Sequence, residues 1–113
     1  MNQDETMKVD ILDFIKSCIK RHEIRWTYHV NMRMKGRSIP RNAILSSTDS
    51  LEIIEEYPKD KYLPSYLLYT EYRGQIIHIQ IATDLENHCI TIVTAYKPNL
   101  DKWEKDFKTR RKP

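Results

Sequence analysis

The sharpest chemical constellation in the chain is the run YHVNMRMKGR, residues 28 to 37. On a helix, His29 and Arg33 stand four apart and share a face, one turn from each other. Arg37 follows at the same interval, just beyond Gly36, and can fold back toward that side. An imidazole that titrates near neutrality beside two permanent cations suits work on a phosphodiester. The arginines would hold phosphate oxygens in their planar forks, and the histidine would move a proton. The competing reading of H-x3-R is a structural histidine next to ordinary surface arginines, and spacing alone does not separate the two.

His78 is a second candidate. In QIIHIQIAT the residues Ile77, Ile79 and Ile81 alternate onto one face and leave Ile76, His78 and Gln80 on the other. His78 therefore points away from the more apolar face, and both a catalytic or RNA-contacting role and a structural hydrogen bond stay open. Tyr96 closes the last strand beside Lys97, placed to stack on a base, to protonate a leaving group, or to pack under a C-terminal helix. Tyr57, Tyr62, Tyr66, Tyr69 and Tyr72 could offer stacking surfaces for single-stranded RNA, but ordinary strand composition is the preferred reading. His22 and His88 lack metal-ligand spacing. Cys18 and Cys89 lie far apart in dissimilar contexts, which suits two buried thiols in a reducing compartment better than a zinc site or redox pair. No cofactor or metal is expected.

The elements that would position these residues follow from periodicity. Residues 5 to 22 place Met7, Ile11, Phe14, Ile15, Cys18, Ile19 and His22 at helical spacing, with Asp4 and Glu5 at the start and Lys20 and Arg21 at the end, as the helix dipole prefers. A shorter helix over about residues 28 to 35 is closed by Gly36 as a left-handed cap. Pro40 opens a third helical piece reaching about Ser47, with Ile39, Ala43 and Ile44 inward. From Leu51 the pattern turns to strands. LEIIEEY precedes the loop PKDKYLP; SYLLYTEY and QIIHIQIAT flank the tight turn Arg73-Gly74; DLENH leads into CITIVTAY. Short connections predict a four-stranded antiparallel meander. Pro98 ends it, and Asn99 caps a final helix carrying Leu100, Trp103 and Phe107. The expectation is one α+β domain over residues 1–113, with N-terminal helices on a four-stranded antiparallel sheet and a short C-terminal helix. Its core runs from about 5 to 108, and the tail 109–113 frays.

Charge is unevenly spread. Residues 20 to 41 carry seven Lys/Arg against Glu23 alone, a net of +6, and residues 97 to 113 carry a net of +4, within a chain whose total is only +3. Such polarity can steer a polyanion to one side. A hydrophobic content of 40% is ordinary for a globular protein and too high for a disordered one. No run approaches the roughly 18 apolar residues of a membrane span, and the acidic opening MNQDETMKVD lacks the pattern of a signal peptide, so the expected location is cytoplasmic.

The order H-x3-R-x3-R, then Ile-Pro, a helix, a strand, a hairpin and a closing Thr-Ala-Tyr-Lys-Pro resembles a small-protein family related to BrnT and, more distantly, to RelE-type ribonuclease toxins. The family pattern runs approximately His-Ala-x-x-Arg-Met-x-x-Arg-Gly-Ile, later a strand His, and finally Thr-x-Tyr. His29, Arg33, Met34, Arg37, Ile39, His78, Thr94 and Tyr96 match it; Val30 stands where Ala is usual and Ser38 where Gly is usual. The resemblance covers about residues 25 to 104. It implies a metal-independent endoribonuclease with RNA lying across the sheet, and an antitoxin protein as partner. His29 or His78 would then act in proton transfer, Arg33 and Arg37 would stabilise the phosphate, and Tyr96 and Lys97 would complete the rim, with Arg41 as a further RNA contact. The alternative is a non-catalytic RNA-binding or protein-interaction domain of the same fold.

Overall fold

A computed structural model describes residues 10 to 112. Helix α1 (Ile11–Lys20) begins at Asp10, whose carboxylate accepts the Asp13 N–H at 3.1 Å. The earlier start expected around Asp4, Glu5 and Met7 lies outside the described residues. Ile15, Cys18 and Ile19 bury the apolar stripe, while His22 is exposed and takes a left-handed φ of 57°. The helix stops there because the Glu23 N–H turns back to the Cys18 carbonyl at 2.9 Å, closing a Schellman motif.

Strand β1 (Ile24–Trp26) leads directly into α2 (Tyr28–Gly36), whose cap Thr27 accepts the Val30 N–H at 3.1 Å. Gly36 was expected to supply the left-handed residue, but it belongs to the helix, and Ser38 adopts φ 57° instead. The Ile39 N–H reaches the Met34 carbonyl at 2.8 Å and the Ser38 N–H reaches that of Lys35 at 3.1 Å, so the Schellman geometry falls two residues later. Helix α3 (Arg41–Leu45) is shorter than expected, with Pro40 as its cap rather than its first helical residue.

Four strands follow: β2 (Glu52–Tyr57), β3 (Ser65–Tyr72), β4 (Gln75–Asp84) and β5 (Cys89–Tyr96). Arg73 and Gly74 both have positive φ, 51° and 78°, as a two-residue hairpin turn of primed type requires. The chain is α+β, and β2 to β5 form the antiparallel meander, but the sheet is five-stranded and mixed, in the order β1-β5-β4-β3-β2. The added strand β1 runs parallel to β5, with Ile24 opposite Ile90 and Trp26 opposite Ile92.

One sheet face carries Leu68, Ile77, Ile79, Ile81, Ile90 and Ile92 into a core shared with all three helices. A bulge on β5 then changes the side-chain parity. Ile81 faces Ile92 but Gln80 faces Thr94, so Val93 is an extra residue and stands 48% exposed. Ala95 therefore joins Ile92 in the core, and Tyr96 lies on the opposite face, in register with His78.

Among the described residues after Tyr96 there is no helix. Asn99 starts a single turn, taking the Asp101 N–H on its side chain at 3.0 Å, and the chain then doubles back. Trp103 bridges Arg110, and the Arg111 N–H meets the Lys102 carbonyl at 2.9 Å. Asp106 holds the tip by accepting the backbone N–H groups of Lys108 and Thr109. This strap lies against the sheet face opposite the helices, pinned by Lys108–Glu52 at 2.8 Å and Arg110–Glu55 at 2.7 Å. The residues expected to fray are thus tied down through Arg111. No helix among the described residues is long and apolar enough to cross a membrane.

Candidate nucleic-acid interface

Where β5 runs into the strap, a cleft of about 660 Å³ is lined by Arg37, Lys97, Lys102 and Arg110, by Tyr96 and Trp103, and by Pro98 and Asn99. Four cations and no carboxylate form its wall. Arg37 comes from the end of α2 and is fixed by its Nη1, which donates to the Ala95 carbonyl at 2.8 Å and to Thr94 Oγ1 at 3.2 Å. Its remaining N–H groups have no described partner. Arg110 is shared with Glu55, which takes two of its N–H groups at 2.7 and 3.1 Å. Burial pushes the Glu55 carboxyl up, but hydrogen bonds from Arg110 and from the Tyr57 hydroxyl outweigh that, and it lies below its ordinary value. Lys97, Lys102 and Arg37 form no ion pair among the described residues.

Behind this wall stands an ordered column. The Arg110 guanidinium covers the Trp103 ring at 4.6 Å, and Trp103 meets His78 edge-on at 4.5 Å and 83°. His78 is fully buried. Its Nε2 lies 2.6 Å from the Phe107 carbonyl oxygen, which can only accept, so Nε2 carries the proton. Nδ1 is then the acceptor for the Tyr96 hydroxyl, 3.2 Å away. Burial pushes the imidazole pKa down, with Arg110 adding to the effect and the Phe107 carbonyl and Glu55 opposing it; burial also pushes the Tyr96 hydroxyl up. Both groups rest neutral, with the tautomer set by the strap.

The structure brings together some of the residues singled out from the sequence. Arg37, Tyr96 and Lys97 line the cleft, and His78 backs Tyr96. His78 does lie on the face away from Ile77, Ile79 and Ile81, but it is covered by the strap instead of sitting among open polar neighbours. His29 and Arg33 are exposed on α2 and are not part of the cleft wall. The Arg41 guanidinium is committed to Asn31 Oδ1 at 2.9 Å and to the Trp26 ring at 4.7 Å. Sequence reasoning missed Lys102, Arg110 and Trp103 as site residues: the net +4 of residues 97 to 113 was the trace of the two cations, and Trp103 reads there as part of one face of a helix. At the other end of the sheet, Cys18 is buried, its thiol pushed up to about 11 by burial, and Cys89 is half-buried. Among the described residues no group of three His, Cys, Asp or Glu side chains is arranged to hold a metal ion.

No curated protein and no solved structure matches the chain. Residues 26–97, which run from the end of β1 through β5 and include Arg37, His78 and Tyr96, match the model of a family described as a domain of unknown function, DUF4258, and the chain belongs to that family.

Proposed function

We propose that the protein is an RNA-directed member of the RelE/BrnT-like toxin group, a metal-independent endoribonuclease that seats a phosphodiester in the cationic cleft. The observation that carries this reading is the cleft itself: forked and point cations converge on a wall without carboxylates, with Tyr96 in that wall and His78 hydrogen-bonded behind it. In the reaction the ribose 2′-hydroxyl attacks phosphorus and the bond to the 5′-oxygen breaks. Tyr96 takes the 2′ proton as its own passes to His78 Nδ1, so the charge appears on an imidazolium whose Nε2–H already rests on the Phe107 carbonyl. Arg37 and Lys97 face the charge that grows on the phosphorane, and Lys97 is a proton donor for the leaving oxygen. A cytoplasmic toxin of this kind would be held silent by an antitoxin covering the same basic face.

A second reading is favoured by one observation. Both ring nitrogens of His78 are already engaged and the ring is fully buried, which also suits a structural lock beneath a non-catalytic RNA-binding cleft. Purified protein incubated with RNA, with and without ribosomes, separates the two. Cleavage lost in Tyr96→Phe and in Arg37→Ala, with folding retained, supports the nuclease. Salt-sensitive RNA binding without any cleavage leaves the binding module, and absence of binding at low salt overturns both.

A further inference from the structure

We propose that the ligand of this protein is a single strand of RNA that leaves the cleft along the solvent face of α2 and stacks an unpaired base on Tyr28. The inference rests on the reading that the cleft holds an RNA phosphate, and it adds the strand state and the direction of the chain.

Tyr28 stands 75% exposed on the first turn of α2, so a helix presents a bare aromatic face to solvent. The Thr27 cap sets the backbone of this turn, and the exposed His29 ring meets the Tyr28 ring edge-on at 6.2 Å and 69°. From Tyr28 the neighbouring stripe His29, Arg33, Arg37 climbs the helix at four-residue intervals and ends at the cleft wall. Arg33 is exposed and forms no ion pair among the described residues. From Ile24 to Thr48 the sequence holds no Asp or Glu at all. The surface is therefore complementary to an anion along its length and offers a π-face at its far end.

Length and geometry select among anions. At about 1.5 Å of rise per residue, the nine steps from Tyr28 to Arg37 span about 13 Å of helix axis, a distance that a short extended strand bridges with a phosphate at Arg37 and a base at Tyr28. Stacking on Tyr28 requires a base whose own face is free, which a duplex interior does not offer. A polyanion without bases would feel Arg33 and Arg37 but gain nothing from the ring.

The test is titration of a short, unstructured, labelled RNA into the full chain at low salt, followed by anisotropy. Parallel arms use the same RNA annealed to its complement and inorganic polyphosphate. Tyr28→Ala should weaken the single strand roughly 5- to 150-fold, Tyr28→Phe should preserve it, and neither should alter duplex or polyphosphate binding. Wild-type affinity for single-stranded RNA in a folded Tyr28→Ala protein, with Arg37→Ala still weakening it, overturns this inference and leaves the cleft standing. Absence of RNA binding by the wild type, or binding indifferent to Arg37→Ala, overturns the cleft reading and this one with it.

Discussion

Replacing His78 with Phe keeps a ring of similar size beneath Trp103 and removes both polar contacts of the imidazole. Tyr96 stands half-buried in the cleft wall, and the cost falls on the Phe107 carbonyl, which loses its 2.6 Å donor under the strap. An unsatisfied buried acceptor costs about 1 to 3 kcal/mol, so at pH 8 the variant should be less stable by that amount. The pH dependence carries a second, independent signature. The unfolded imidazole binds a proton below its ordinary value of 6.5, whereas the buried one resists until the solution is more acid. Unfolding therefore takes up a proton in that interval. Stability is fully present above pH 6.5 and falls as pH drops toward the folded pKa, with a limiting slope of about 1.4 kcal/mol per pH unit. His78→Phe lacks this loss, so the two stabilities should converge on acidification. Urea unfolding of both proteins from pH 8 to pH 5 reads the difference directly, and it cancels the other histidines. Parallel curves across that range would mean that His78 is not held neutral by the fold.

Other perturbations test other parts of the structure. Ser38→Gly relieves a left-handed residue and should raise stability by about 1 kcal/mol, seen as a higher urea midpoint at unchanged slope. Trp103→Ala uncovers His78 and removes a side chain only 2% exposed; a loss of about 3 to 5 kcal/mol is expected in the same assay. Glu55→Gln leaves the Arg110 fork without its carboxylate, so RNA should bind more tightly and with a steeper salt dependence; unchanged affinity would place Arg110 outside the ligand's reach. Double replacement of Arg33 and Arg37 by Ala should flatten the salt slope measured with single-stranded RNA.

Local patterns carried the helices and the hairpin. The buried triplet Ile15, Cys18, Ile19 follows the apolar stripe, and the Arg73-Gly74 turn sits where turn chemistry put it. What escaped was non-local. Ile24-Arg25-Trp26 is too short to declare itself a strand, and its partner residues lie beyond two helices and three strands. The bulge at Val93 has no marker in CITIVTAY: simple alternation would place Ile92, Thr94 and Tyr96 on one face, whereas only the last two share the face of His78. After Pro98, helical spacing of Leu100, Trp103 and Phe107 competed with Asp106, whose carboxylate accepts three bonds from Lys108 and Thr109 and favours a turn. Half the candidate site was thus readable, namely Arg37, His78, Tyr96 and Lys97. The strap that completes it was readable only as a local excess of charge.

The parallel pairing of β1 with β5 also sets an order in time. Ile24 cannot pair until Ile90 exists, 66 residues later. At roughly 5 to 20 residues per second of synthesis, that is a wait of about 3 to 13 s. The hairpins from β2 to β5 need only near neighbours and can close as they emerge, leaving the basic β1–α2 segment waiting on β5. Arg37 reaches the Ala95 carbonyl only after that docking, and Lys102 and Arg110 arrive later still. The cleft is therefore assembled last: Arg37 is seated only when β1 and α2 dock on β5, and the strap must then fold over the other face of the sheet before Lys102 and Arg110 join it.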